Sequence, residues 1–157
     1  MKLVKSLRGL FEPLRLVPKV ELVIKHSTDA ATMHHTLGMS SPAVFDYGRA
    51  ELERALPGNA WSKPSGQCAT RVEISWRARL AGTYGQGGLA AYRIEGVVKI
   101  TDTASGRVRV TRSFVGAEPP DQIYTLPTDR DRSALHGAYP VDAISRYLAS
   151  LYTDPRP

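Results

Sequence analysis

Cysteine is almost absent: Cys68 is the only one in a chain of 157 residues. An internal disulfide is excluded, and a cysteine-based zinc site would need ligands of other kinds. The redox compartment stays open, because a lack of disulfides is tolerated everywhere. Long apolar runs are missing too, since no window approaches the roughly 18 apolar residues that a membrane-spanning helix requires. Catalytic signatures are equally lacking, with neither a G-x-S-x-G elbow nor an H-E-x-x-H zinc motif in the chain. Cys68, with the upstream His26, His34 and His35 and with His136, supplies the ingredients of a Cys-His nucleophile, but no local signature marks an activated thiol. Glu51 and Glu53, two apart on a predicted helix, fall on different faces and make a poor acid/base pair. No catalytic residue and no cofactor is assigned.

What is present fits a globular domain. Hydrophobic residues make up 42% and charged residues 23% of the chain, close to globular averages, which excludes a disordered tail protein and a coiled coil. The length suits one domain, residues 1–157, able to bury its own core. A formal net charge of +6 and a pI near 9.7 favour anionic partners without saying anything about fold.

Leu3, Leu7, Leu10 and Leu14, with Val4 and Phe11, recur at helical spacing between Lys2, Lys5 and Arg8, so residues 1–17 are set apart as an amphipathic N-terminal helix. Leu3, Leu7, Leu10 and Phe11 then present a face for a protein partner, for a second copy of the chain, or for an anionic membrane. Docking on the domain itself is the plainer alternative. Arg8, Glu12 and Pro13 interrupt what a secretion signal would keep apolar. The expected address is cytoplasmic, or envelope-associated if the chain truly starts elsewhere.

Residues 18–25 read as a first strand. Ser41 before Pro42 predicts a helix start, with the helix running to Leu56 through Val44, Phe45, Leu52 and Ala55 despite Gly48. In residues 71–80, Val72, Ile74, Trp76, Ala78 and Leu80 alternate with Arg71, Glu73, Ser75, Arg77 and Arg79, the period of a half-buried strand. After a glycine-rich turn the parity repeats, with Tyr92, Ile94, Val98 and Ile100 against Arg93, Glu95 and Lys99. Residues 102–106 (DTASG) form a hairpin turn, and a third run sets Val108, Val110 and Phe114 against Arg107, Arg109, Thr111 and Ser113. Residues 122–126 add a short edge strand. Pro140 opens a closing helix in which Val141, Ile144, Tyr147, Leu148 and Leu151 share one side. The expected fold is α+β, a two-layer sandwich of an antiparallel sheet with helices on one face. Its core is Ile74, Trp76, Tyr92, Ile94, Val98, Val108, Val110, Ile144, Leu148 and Leu151.

The polar sheet face is the leading candidate surface. Arg71, Arg77, Arg79, Arg93, Lys99, Arg107 and Arg109 stand there against Glu73 and Glu95, which accounts for nearly all of the formal excess. Such a face would bind phosphates in a salt-dependent way. If Ser75 lies opposite Val97, however, Arg77 meets Glu95 and Glu73 meets Lys99, and the face becomes a solvated ion-pair lattice. Base-stacking aromatics are missing from it, because Trp76 and Tyr92 carry the buried parity. His26, His34 and His35, with Asp29, are the weak candidates for a metal-dependent hydrolase; adjacent histidines point apart on regular structure. The turn Tyr84-Gly85-Gln86-Gly87-Gly88 lacks the following helix that a phosphate-cradling loop needs.

Asp102, Ser105 and Gly106, then Phe114, Gly116, Pro119 and Pro120, then Tyr147, Leu148 and Leu151 form an outline across residues 71–151. In it the chain resembles small, mostly uncharacterised bacterial extracytoplasmic and lipoprotein-type domains. That resemblance implies a nonenzymatic envelope or assembly factor, although the lipobox cysteine of such proteins is missing. The functional expectation is a nonenzymatic binding or accessory module. The alternatives are a binder of nucleic acid or an anionic surface, and the hydrolase on the histidines.

Overall fold

A computed structural model describes residues 14–26, 46–63, 66–85, 89–121 and 134–152. The elements run β1 (Val20–His26), α1 (Arg49–Glu53), a 3-10 turn (Gly58–Ala60), β2 (Thr70–Tyr84), β3 (Leu89–Asp102), β4 (Val108–Val115), β5 (Ala134–His136) and α2 (Val141–Leu151). The fold is α+β around one five-stranded sheet in the order β1-β2-β3-β4, with β5 pairing β3 beyond the end of β4. The N-terminal helix over 1–13, His34, His35, the helix start at Ser41 and Pro42, and the strand over 122–126 all lie outside the described residues.

The alternation in β2 and β3 sets their register. Ser75 lies opposite Val97, Arg77 opposite Glu95 and Glu73 opposite Lys99, the expected register. Glu73 does pair with Lys99, but Glu95 pairs with Arg79 and not with the Arg77 that faces it. At the β3–β4 hairpin, Gly106 takes φ 70°, its N–H donates to Asp102 O at 2.8 Å, and Asp102 Oδ1 accepts the Ala104 N–H at 3.0 Å. The DTASG turn thus forms as its residues dictate.

The sheet is mixed, not antiparallel as expected. β1 runs parallel to β2, and β5 runs parallel to β3. A parallel pair needs a crossover of a dozen or more residues, and residues 27–69 between β1 and β2 give ample length for one. The period of two reports faces and is blind to strand direction.

Three local expectations are corrected. The helix expected to run from Ser41 to Leu56 is only Arg49–Glu53 where it is described; Gly48, at φ 80°, adopts a left-handed conformation that an α-helix cannot continue through. Val108 is 48% exposed, not core. Ile100 pairs with Val110, but Thr101 pairs with Val108. The extra residue, Arg109, is a bulge that reverses the parity beyond it. Leu80, on the apolar parity of β2, is 64% exposed, where a second shift between Leu80 and Gly82 bends the strand end.

The core gathers Val72, Ile74, Trp76, Ile94, Val98 and Ile100 from the sheet with Ile144 and Leu148 from α2. Tyr92, Val110 and Leu151 pack partly buried against it. Leu16, Val20, Leu22, Leu52, Leu56, Ala60 and Tyr139 complete it. Leu16 is buried in an extended segment bridged to Tyr152, so the described end of the 1–17 segment is part of the domain and is not helical. Trp76 Nε1–H donates to Tyr47 O at 3.2 Å, and its ring meets Tyr139 edge-on at 5.0 Å. Gly96 sits beneath α2; a Cβ there would lie 2.7 Å from Trp76 Cζ3 and 2.8 Å from Ile144 Cδ1. Glycine is what lets the helix approach the sheet so closely. Among the described residues, no helix is long and apolar enough to cross a membrane.

Candidate binding groove

The opposite face of the sheet carries Glu21, Val23 and Lys25 from β1 and Arg71, Glu73, Ser75, Arg77 and Arg79 from β2. From β3 it carries Arg93, Glu95, Val97 and Lys99. Glu73, with its side chain only 15% exposed, bridges Lys25 at 3.1 Å and Lys99 at 3.4 Å. Burial would raise its carboxyl, but hydrogen bonds from the two ammonium groups outweigh that and hold it below the ordinary glutamate value. Arg71 Nε donates to Glu21 Oε2 at 2.7 Å, which lowers the Glu21 carboxyl in the same way.

Arg79 and Arg93 lie directly opposite each other, an unfavourable like-charge pair unless both are neutralised. Both are. Arg79 Nε donates to Glu95 Oε2 at 2.5 Å, and Arg93 bonds the Gly116 carbonyl at 2.8 Å and pairs with Glu118 at 3.6 Å. These groups line an open groove of about 680 Å³ between the far ends of β2 and β3 and the segment after β4. Leu80, Val115, Pro119 and Pro120 supply its apolar surface, with Leu80 64% and Val115 57% exposed. Tyr84 Oη donates to Pro120 O and ties the strand end to that segment.

The structure thus brings five of the seven nominated cations, Arg71, Arg77, Arg79, Arg93 and Lys99, onto one face. Four of them have carboxylate partners. Arg77 forms no ion pair among the described residues. Arg107 and Arg109 are exposed, Arg109 as the bulge residue and Arg107 just before β4, so the parity that joined them to the face does not hold there. His26 pairs opposite Trp76, on the core side, and burial lowers its imidazole below the ordinary value. No cluster of His, Cys, Asp and Glu suited to a metal occurs among the described residues.

A second cleft, about 620 Å³, lies beside β1 and is lined in part by Glu21, Arg49, Ser62, Cys68 and Arg71. The Cys68 thiol faces Glu21 Oε2 at 3.5 Å, while Arg49 pairs with Asp46 at 2.6 Å and Glu53 at 3.4 Å. Sequence reasoning missed the groove's apolar rim. Leu80 looked like core by parity, and the only hint was Ala81-Gly82 after it, small residues able to host a bulge.

No protein-family model and no curated protein matches the chain. Among solved structures, a Xanthomonas campestris protein of the DUF330 family model aligns with a TM-score of 0.52 at 18% identity, over 88% of this chain and 86% of that one. A PelC dodecamer from Paraburkholderia phytofirmans aligns with a TM-score of 0.41 at 14% identity, over 89% and 87%, too distant a likeness to bear on function. The first likeness establishes a shared fold.

Proposed function

We propose that the protein is a nonenzymatic binding module that holds a segment of a protein partner in the groove between Leu80 and Val115. One observation carries the reading. The groove is lined by two apolar residues, Leu80 and Val115, each more than half exposed, together with charges that already satisfy one another. A phosphate would have to displace Glu95 or Glu118 from its arginine, whereas an apolar peptide segment gains contact without breaking either pair. In the same reading α1 and α2 form a second layer over the Trp76 face and leave the charged face for recognition. The outline shared with extracytoplasmic accessory domains points in the same direction.

Photo-crosslinking in the source cell tests this. A photoreactive residue at Leu80 or Val115 is expected to give a discrete protein adduct, and one at the exposed Asp142 of α2 is not. Equal labelling at all three positions would overturn the proposal, as would salt-sensitive binding of RNA or DNA by the purified protein with no adduct at the groove.

A further inference from the structure

The sheet has two outer edges, and the fold treats them differently. On β1 two outward carbonyls are occupied: Ser62 N–H donates to Val20 O at 2.8 Å, and the Arg49 guanidinium reaches Leu22 O at 3.4 Å. On β4, the Gly116 N–H bonds Ile94 O at 2.7 Å. With the register 96–114, 98–112 and 100–110, this turns the backbone groups of Val110, Arg112 and Phe114 inward and those of Thr111, Ser113 and Val115 outward. Six of the eight β4 residues are exposed. No described residue bonds those outward groups.

An open edge is a template for another strand unless something guards it. The guard here is positive charge. Arg107, Arg109 and Arg112 have no carboxylate partner among the described residues, and Arg112 lies over the rings of Phe114 and Tyr147 at 4.9 and 4.7 Å. A second copy paired edge to edge would bring these arginines together and be repelled. An acidic strand would be attracted by the same groups. We infer that the outer edge of β4 accepts an extended acidic segment of a partner protein as an added strand, with Thr111, Ser113 and Val115 supplying the backbone bonds and Arg109 and Arg112 the charge selection. This stands on the strand edge; Val115 is the one residue it shares with the Leu80 groove, so Thr111 and Ser113 tell the two readings apart.

The probe is a blocked nine-residue peptide alternating Glu and Val, with a Lys/Val peptide as control, followed by amide resonances and hydrogen exchange of the full chain. The expected result is slowed exchange at Thr111, Ser113 and Val115 with the acidic peptide only, weakening as salt is raised. Ser113→Pro removes an outward N–H at an edge, where proline is tolerated, and should abolish binding. Arg109→Glu, at an exposed bulge, should weaken the acidic peptide several-fold and admit the basic one. The inference is overturned if these amides exchange as slowly in the free protein as those of β3, or if the protein dimerises through them. It is also overturned if the peptide gives no edge protection at millimolar concentration, or if binding survives both variants. Shifts confined to Leu80, Arg79 and Arg93 would also overturn it while leaving the groove reading intact.

Discussion

Replacing Gly96 by alanine probes how closely α2 packs on the sheet. The new Cβ would stand 2.7 Å from Trp76 Cζ3, 3.2 Å from Trp76 Cε3 and 2.8 Å from Ile144 Cδ1, where carbon atoms prefer about 3.5–4.0 Å. The indole has little room to yield, held by its bond to Tyr47 O and its edge contact with Tyr139. Overpacking of this kind costs about 1–3 kcal/mol, offset by roughly 0.4–1 kcal/mol from the smaller unfolded-state entropy of alanine. A net loss of about 1–2 kcal/mol should lower a urea midpoint by about 0.5–1 M at a slope of ~2 kcal/mol/M. Ile144→Val removes Cδ1, so the double variant should lose less than the sum of the two single losses. A Gly96→Ala protein as stable as the parent, or strictly additive losses, would refute the close-approach argument.

The bulge at Arg109 predicts that Val108→Thr shifts stability by less than about 0.5 kcal/mol, whereas Ile100→Ala costs about 2–5 kcal/mol; equal losses in urea titrations would place Val108 back in the core. The folded-state pKa of Glu73 lies below its unfolded value, so its stabilisation is complete above about pH 4.3 and is lost as pH falls through the folded value. Acid titration followed by circular dichroism should therefore show Glu73→Gln with a flatter acid limb than the parent, and identical profiles would contradict the pairing with Lys25 and Lys99. Arg77→Ala removes the face's one cation without an ion pair among the described residues and should change the melting temperature little, whereas a loss above about 1 kcal/mol would reveal a partner for it.

Much of the sheet was legible because period two is a strong signal. The parity of β2 and β3, the opposed pairs Glu73–Lys99 and Arg77–Glu95, the DTASG hairpin and the stripe of α2 all follow from local residue order. Strand direction was not legible, since a parallel β1 depends on what lies between the strands. The two bulges escaped for a related reason: one inserted residue changes no composition and no propensity, yet it moves Val108 to the charged face and lets Leu80 reach solvent. The shift after Leu80 also hid the groove, because alternation assigns Leu80 to the interior, while Val115 falls on the polar parity opposite Glu95 and Pro119 and Pro120 follow the strand. Arg112, which interrupts the apolar parity of β4, lies over Phe114 of its own strand and over Tyr147, and only the tertiary position of α2 could supply the second ring.

The groove is tested most directly by purifying the tagged full chain and its Leu80→Asp/Val115→Asp variant from the source cell, with folding of both verified by circular dichroism. Both side chains are largely in solvent, so the variant should fold like the parent. The account predicts a discrete protein retained by the parent in constant ratio and absent from the variant. The same proteins retained by both, or nothing held by either while nucleic acid binds the parent at low salt, would contradict it.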